Sequence, residues 1–347
     1  MKKIIVIVLV ALGLTAGVLI YRDQTAQRAD RPMPPAPVAG AEATKETPVA
    51  AVERAPAPRS LFLRDAASGQ NQLWRFGDDG APRMIAVQAA DPGWTAELFA
   101  PRGWGGDDAV LWRNDASGEL RWWRLGAEGE VLAVEILPYS GAEWRAAAAL
   151  DADGDGDADL VWRNAAGGVA VWAMEAGKQV GQASIGEVAS GWSLMATGDF
   201  NGDGRDELLW RMSTTGEVAL WDLQGTQPAN VRPIAGAGAE WRVLGALDLD
   251  DRAGRDLLWQ GADGALIGWS GADAANTVAI ERPATAGWSL FASADVDGDG
   301  RAETIWREDA GLQLGAWRFG DGGKVVDLAL PPLGPEWAVA PTGFVSR

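Results

Sequence analysis

The 347-residue chain is acidic, with 48 Asp and Glu against 30 Lys and Arg for a net charge of −18, and it is 47% hydrophobic. It has no His and no Cys, which excludes Ser/His/Asp and Cys/His nucleophiles, zinc sites built on those residues, and disulfides. Carboxylate-only catalysis stays formally open, but the expectation is a non-enzyme, and the acidity argues against nucleic acid as a partner.

The chain opens MKKIIVIVLVALGLTAGVLIYRD, in which Lys2 and Lys3 precede an uncharged apolar run from Ile4 to Ile20. As a helix this run is about 25 Å long, near the lower limit for crossing a bilayer. Residues 1–21 are therefore expected to form a signal anchor, with a cleaved signal peptide as the competing reading. The lysines keep the N-terminus cytoplasmic, so the remainder is expected on the periplasmic or extracellular side, or secreted if the leader is cleaved. Gly13 and Gly17 give a GxxxG spacing that can pair two such helices, although short apolar runs hold it by chance. Residues 22–59 are rich in Ala, Pro and charge without apolar periodicity, and read as a disordered tether.

From residue 60 the chain repeats, and 17 of its 19 tryptophans keep the register. One set is Trp112, Trp162, Trp210, Trp259 and Trp306, with Leu63 in the earlier place; a second is Trp74, Trp123, Trp172, Trp221, Trp269 and Trp317; a third is Trp94, Trp144, Trp192, Trp241, Trp288 and Trp337. Spacing within each set is 47–50 residues, the length of a four-stranded propeller blade. In the fourth copy WSLMATGDF (192–200), ELLWR (207–211), EVALWDL (217–223) and ANVRPIAG (229–236) read as successive strands, the last at an edge where its Pro is tolerated. The repeat begins at LFLRD (61–65), a second strand, and finishes with WAVAPTGF (337–344), a first strand. The expectation is an all-β, six-bladed β-propeller over residues 60–347, one blade completed by strands from both ends. The tryptophans are read as wedges between blades, with Trp-lined sugar pockets as the alternative. Arg64, Arg113, Arg163, Arg211 and Arg307 follow the first register, with Gln260 in the sixth place. They can ring an anionic ligand, or pair with acids and backbone carbonyls at the blade rim; pairing is expected.

Eleven residues before the first register lie acidic loops: DADGDGDADLVW (151–162), DFNGDGRDELLW (199–210) and DVDGDGRAETIW (295–306). Oxygen-bearing side chains fall at positions 1, 3, 5 and 9, with Gly at position 6 for a sharp turn. Calcium takes about six to eight oxygen ligands, and alternate positions on a tight loop converge on one ion. Position 12 is Trp where an EF-hand has Glu, and no amphipathic helices flank the loops, so an EF-hand is excluded. These three loops carry −11 of the net −18, so without metal their carboxylates repel one another.

The tandem loops at blade spacing resemble the FG-GAP or VCBS repeat family, whose integrin α-subunit propellers carry D-x-[DN]-x-D-G-x-x-D between first and second strands. The resemblance covers about residues 60–347. It implies Ca2+ held by Asp151, Asp153, Asp155 and Asp159 with the carbonyl of Asp157. In the next repeat it implies Asp199, Asn201, Asp203 and Glu207 with the carbonyl of Arg205, and in the sixth Asp295, Asp297, Asp299 and Glu303 with the carbonyl of Arg301. Glu207 and Glu303 depart from the family's Asp at position 9, a longer reach. The fifth loop, DLDDRAGRDLLW (248–259), has Arg252 at position 5 and no Gly at 6; its guanidinium is expected in the ion's place among Asp248, Asp250 and Asp256, with calcium held by those three carboxylates as the alternative. The second, PRGWGGDDAVLW (101–112), has neither acid nor amide at the four positions. Six blades also differ from the seven common in the integrin relatives. The function expected is non-catalytic binding or scaffolding toward an envelope or extracellular protein, about three structural calcium ions stiffening the ring. A carbohydrate-binding, lectin-like propeller is the alternative.

Overall fold

The computed structural model describes residues 57–341 except 66, 139, 251, 253, 281–286, 310–311 and 320–324. The expected N-terminal helix and nearly all of the tether lie outside the described residues. Among the described residues no helix is long and apolar enough to cross a membrane.

The described chain forms six four-stranded antiparallel sheets, one per repeat. The fourth blade shows the plan: Trp192–Gly198, Glu207–Met212, Val218–Gln224 and Gln227–Ile234 pair in chain order. Each strand's burial explains its composition. The second strand, ELLWRM, is buried on both faces and reads as an unbroken apolar run. The fourth, QPANVRPI, alternates between half-buried and exposed, and takes Pro228 and Pro233 because it is an outer edge. The first blade is composite, as expected from the sequence: Trp337–Val339 pairs with Ser60–Asp65, which continues to Asn71–Phe76 and Pro82–Val87. Leu63 faces Val339 and Asp65 faces Trp337.

Six apolar clusters form the core, each joining residues of two adjacent blades. One joins Leu61, Leu63 and Trp74 of the first blade to Val296, Ile305 and Ala316 of the sixth, closing the ring. The tryptophans are mainly seam wedges. Trp112, Trp162, Trp210, Trp259 and Trp306 are at most 1% exposed, and each packs on the second-register Trp of its own blade, tilted in four blades, as in Trp162 on Trp172 at 4.7 Å between centroids, and stacked in the sixth. A buried Trp removes roughly 150–250 Å2 from water, worth about 4–6 kcal/mol at roughly 25 cal/mol per Å2 as an upper figure. Of the third register Trp94 is buried, and Trp144, Trp192, Trp241, Trp288 and Trp337 are half-buried.

The arginines that follow the first register pair with backbone carbonyls. Arg64 donates to the Trp94 carbonyl, Arg113 to Trp144, Arg163 to Trp192, Arg211 to Trp241 and Arg307 to Trp337, at 2.6–3.1 Å and always in the next blade. Arg64, Arg113 and Arg163 also sit over the buried Trp of that blade. Each arginine thus straps one blade to the next. In the fifth blade Gln260 takes this place and accepts from Arg242 instead.

Every described first strand longer than three residues carries a β-bulge at one register, whose extra residue is Glu97, Ala147, Met195, Leu244 or Phe291. In the second and sixth blades the bulge residue flanks the strap: Glu97 forms an ion pair with Arg113 at 2.5 Å, and Phe291 lies under Arg307 at 4.1 Å. With five unlike residues at one position, the sequence carried no pattern by which to find it.

Candidate metal centres

Each acidic loop joins the first and second strands of its blade, and its own side chains fold it. Asp151 accepts from Gly154 N–H at 2.7 Å and Gly156 N–H at 3.0 Å. Asp199 does the same with Gly202 and Gly204, and Asp295 with Gly298 and Gly300. Both glycines of each loop have positive φ, 83° and 88° in the third blade, a region that strains any residue with a Cβ. The need for Gly at position 4, beside that at position 6, was missed in the sequence although DxxG recurs in all three loops.

Further along, each carboxylate or amide oxygen accepts from an N–H two residues on, as Asp155 does from Asp157 and Asp203 from Arg205. Position 9 closes the turn. Asp159, Glu207 and Glu303 accept from the N–H of Ala152, Phe200 and Val296 at 2.7–3.0 Å, and those three residues are themselves buried. The second oxygen separates the Asp copies from the Glu copies. Asp159 Oδ1 accepts from Met174 N–H on the third strand. Glu207 Oε1 accepts from Asn201 Nδ2, and Glu303 Oε1 has no hydrogen-bond partner although the residue is fully buried.

Among the described residues three sets of carboxylates have oxygens within 4.8 Å of one another and can hold a metal ion: Asp151, Asp153 and Asp159; Asp199, Asp203 and Glu207; Asp295, Asp297 and Asp299. Asp155 and Glu303 stand beside these sets, and Asn201 contributes its oxygen to the turn at Asp203 N–H. Of the residues assigned carbonyl roles, Asp157 has a side-chain role that the sequence did not show. Its carboxylate accepts from Gly105 N–H in the second blade and from Ala176 N–H in its own, both at 2.7 Å.

Burial, aided by the neighbouring acids, pushes the position-9 carboxyls far up: Asp159 to about 7, Glu207 to about 8 and Glu303 to about 8. Burial also raises Asp151, Asp155 and Asp295. Such groups hold a proton more tightly than a free carboxyl does, and a cation can take the proton's place, its charge offsetting both desolvation and repulsion.

The loops also bond to one another across the seams. Asp206 N–H donates to the Asp151 carbonyl at 2.8 Å while Asp206 Oδ2 accepts from Asp151 N–H. Arg255 N–H donates to the Asp199 carbonyl at 2.6 Å.

Two blades complete this belt without such a cluster. In the fifth, the expected Arg252 does not fill the ion's place: its side chain is largely exposed, with Nε 3.9 Å from Asp250. Arg255 instead reaches the buried Asp248 at 2.5 Å, because its backbone is pinned to the fourth loop. Asp256 accepts from Leu249, Asp250 and Gly271 N–H groups, and no metal-ready set forms from the described residues of this loop. In the second blade the loop tightens into a hairpin in which Trp104 pairs with Asp107 through Gly105 and Gly106, both at positive φ. Trp104 packs so closely on Gly177 that a Cβ there would lie 2.0 Å from the indole. The buried Asp108 pairs with Arg75 at 2.9 Å across the first seam.

An FG-GAP-like repeat matches residues 151–210, which run from the third blade's loop through the fourth's. No curated protein matches the chain. Among solved structures it is similar to the periplasmic gluconolactonase PpgL of Pseudomonas aeruginosa, at 18% identity over 82% of this chain and 86% of that one, with a TM-score of 0.47. A putative 6-phosphogluconolactonase from Bacteroides uniformis gives 12% over 80% and 85%, with a TM-score of 0.48. The Malassezia sympodialis allergen Mala s 1 gives 13% over 69% and 83%, with a TM-score of 0.41. The chain thus carries an FG-GAP-like repeat within a six-bladed β-propeller.

Proposed function

We propose that this is a non-catalytic propeller, stabilised by calcium, that presents a protein-binding or scaffolding surface outside the cytoplasmic membrane. The observation that carries the non-catalytic part is the use of the high-pKa carboxylates. Asp159, Glu207 and Glu303 each clamp the N–H of a buried loop residue, as parts of the frame. A cavity of about 450 Å3 at the first blade's rim, lined by Arg75, Phe76, Asp79, Pro82 and Arg83, contains none of them.

Calcium fits the three clusters on the chemistry of the donors, which are hard oxygens, and on the unpartnered buried oxygen of Glu303. Asp151, Asp153, Asp155 and Asp159 would hold the ion in the third blade, Asp199, Asn201, Asp203 and Glu207 in the fourth, and Asp295, Asp297, Asp299 and Glu303 in the sixth. The ion supplies charge neutralisation and a fixed loop, stabilising the folded ring by mass action.

The protein-binding part is supported by the outer strand of the second blade, Val131–Leu137, which exposes Leu132 (50%), Val134 (47%) and Ile136 (65%) in a row. An edge strand with apolar side chains at alternate positions suits an extended partner segment that adds as a further strand. The envelope location is supported by the Ile4–Ile20 run of the sequence. The carbohydrate alternative is favoured by the half-buried third-register tryptophans alone.

Photo-crosslinkers at Val134 and Ile136, in the full chain expressed in its own envelope, test the choice. A discrete protein adduct lost on Leu132→Asp supports the binding reading. Saccharide binding abolished by Trp192→Ala in a still-folded protein overturns it.

A further inference from the structure

The three acidic loops are not equivalent. Around the third, Arg205 of the next loop reaches a backbone carbonyl, that of Asp153 at 3.4 Å, and Glu175 adds to the repulsion at Asp155. In the sixth, two guanidinium groups already attend the carboxylates. Arg318 donates to Asp297 Oδ2 at 2.6 Å, and Arg59 Nε lies 4.0 Å from Asp295 Oδ2 while its Nη1 holds Asp78 at 2.8 Å. The fully buried Glu303 keeps Oε1 without a hydrogen bond beside this same cluster, an acceptor that the arginines leave unsatisfied.

The sixth loop is also where the ring is shut. Ala57 N–H donates to the Gly300 carbonyl at 2.9 Å, and Asp295 N–H donates to the Pro58 carbonyl at 2.8 Å. Ala57 is fully buried among Leu247, Leu249, Ala302 and Phe319. Phe76 N–H donates to the Arg59 carbonyl at 2.9 Å, so residues 57–59 tie the sixth loop to the first blade just ahead of the strand Ser60–Asp65. The approach is close: a Cβ on Gly298 would lie 2.7 Å from Asp78 and 2.9 Å from Arg59.

We propose that the sixth loop is a cation-responsive latch on ring closure: a divalent cation fills it last of the three, in competition with Arg59 and Arg318, and fixes residues 57–59. This rests on the calcium reading of the loops. The two arginines lower the field that attracts a cation, which places this site at the weak end. Once bound, the ion holds Asp295 and the turn to Gly300, whose backbone groups carry the bonds to residues 57 and 58. By linkage, docking of residues 57–59 strengthens cation binding by the same factor.

The test titrates calcium into the full chain, following bound ions by equilibrium dialysis and amide hydrogen exchange by mass spectrometry. Exchange over 57–65 is expected to slow only in the last binding step, by about 100-fold at 100 times the dissociation constant of that step. Asp299 is exposed, so Asp299→Asn is expected to fold and to abolish the slowing. Asp203→Asn leaves it in place, and Arg318→Gln moves it to lower calcium. Slowing in the first step, slowing that survives Asp299→Asn, or bound ions with unchanged exchange over 57–65 overturns the latch. If dialysis finds no bound calcium, the calcium reading falls as well, and the two failures are told apart by that measurement.

Discussion

At the residue scale, single side chains act mainly by satisfying backbone groups. Arg211, 8% exposed, donates to the carbonyls of Gly238, Ala239 and Trp241. Arg211→Ala leaves these acceptors short of a charged donor and is expected to cost about 2–3 kcal/mol in denaturant unfolding. Arg211→Lys is expected to recover less than half of this, since one ammonium cannot span three carbonyls as the planar fork does. The repeating Trp–Arg dipeptide was visible in the sequence, and so was its pairing with carbonyls. The partner, a tryptophan carbonyl about 30 residues on in the next blade, was not, because a seam contact depends on how blades stack.

The same limit applies to the fifth loop. Counting positions put Arg252 at the ion's place, whereas the backbone bond from Arg255 to Asp199 aims Arg255 at Asp248. Asp248→Asn strands a guanidinium that is one-fifth exposed and is expected to cost about 3 kcal/mol, equally with calcium or chelator present. Asp203→Asn is expected to destabilise only when calcium is present. Equal responses of the two variants to a chelator, in thermal unfolding, would show that the fifth loop also takes an ion.

At the element scale, the loops make stability depend on pH and metal together. The carboxyls of Asp159, Glu207 and Glu303 are raised to about 7 or 8 in the folded chain, so the folded state binds protons more tightly than the unfolded one. The metal-free stability these groups contribute is therefore fully present below about pH 4 and is lost as pH rises through 7–8. Each tenfold tighter hold on the proton is worth about 1.4 kcal/mol, so every one of these carboxyls contributes on the order of a few kcal/mol. The expected result is a melting temperature in chelator that falls between pH 5 and 8.5, and a much flatter profile in calcium. A flat profile in chelator would show that the carboxyls are not held in the dry setting described. The DxDxDG spacing made these loops legible in the sequence, whereas the raised pKa values were not, since they come from burial of the position-9 carboxyls beneath the folded turn.

At the scale of the whole molecule, the period of the tryptophans was sufficient to give six blades and a composite first blade. What the pattern could not give is the closing contact itself, three residue pairs from Leu63–Val339 to Asp65–Trp337. Deleting residues 336–347 removes that strand and uncovers Leu63. It is expected to lower the melting temperature by roughly 10–20 °C, at about 2–4 °C per kcal/mol for a domain of this size. A loss confined to a degree or two in calorimetry would mean that the ring holds without its final strand.

That closure also fixes an order of events during synthesis. Leu63 and Val339 lie roughly 280 residues apart, so bringing them together costs about 5 kcal/mol of loop entropy if nothing intervenes. At about 5–20 residues per second the strand Ser60–Asp65 waits on the order of tens of seconds for its partner. The seams between the second and sixth blades bring the ends together stepwise and reduce that cost. Until the last dozen residues emerge, the newborn chain carries an open, apolar sheet edge, and that interval is when a chaperone has most to shield.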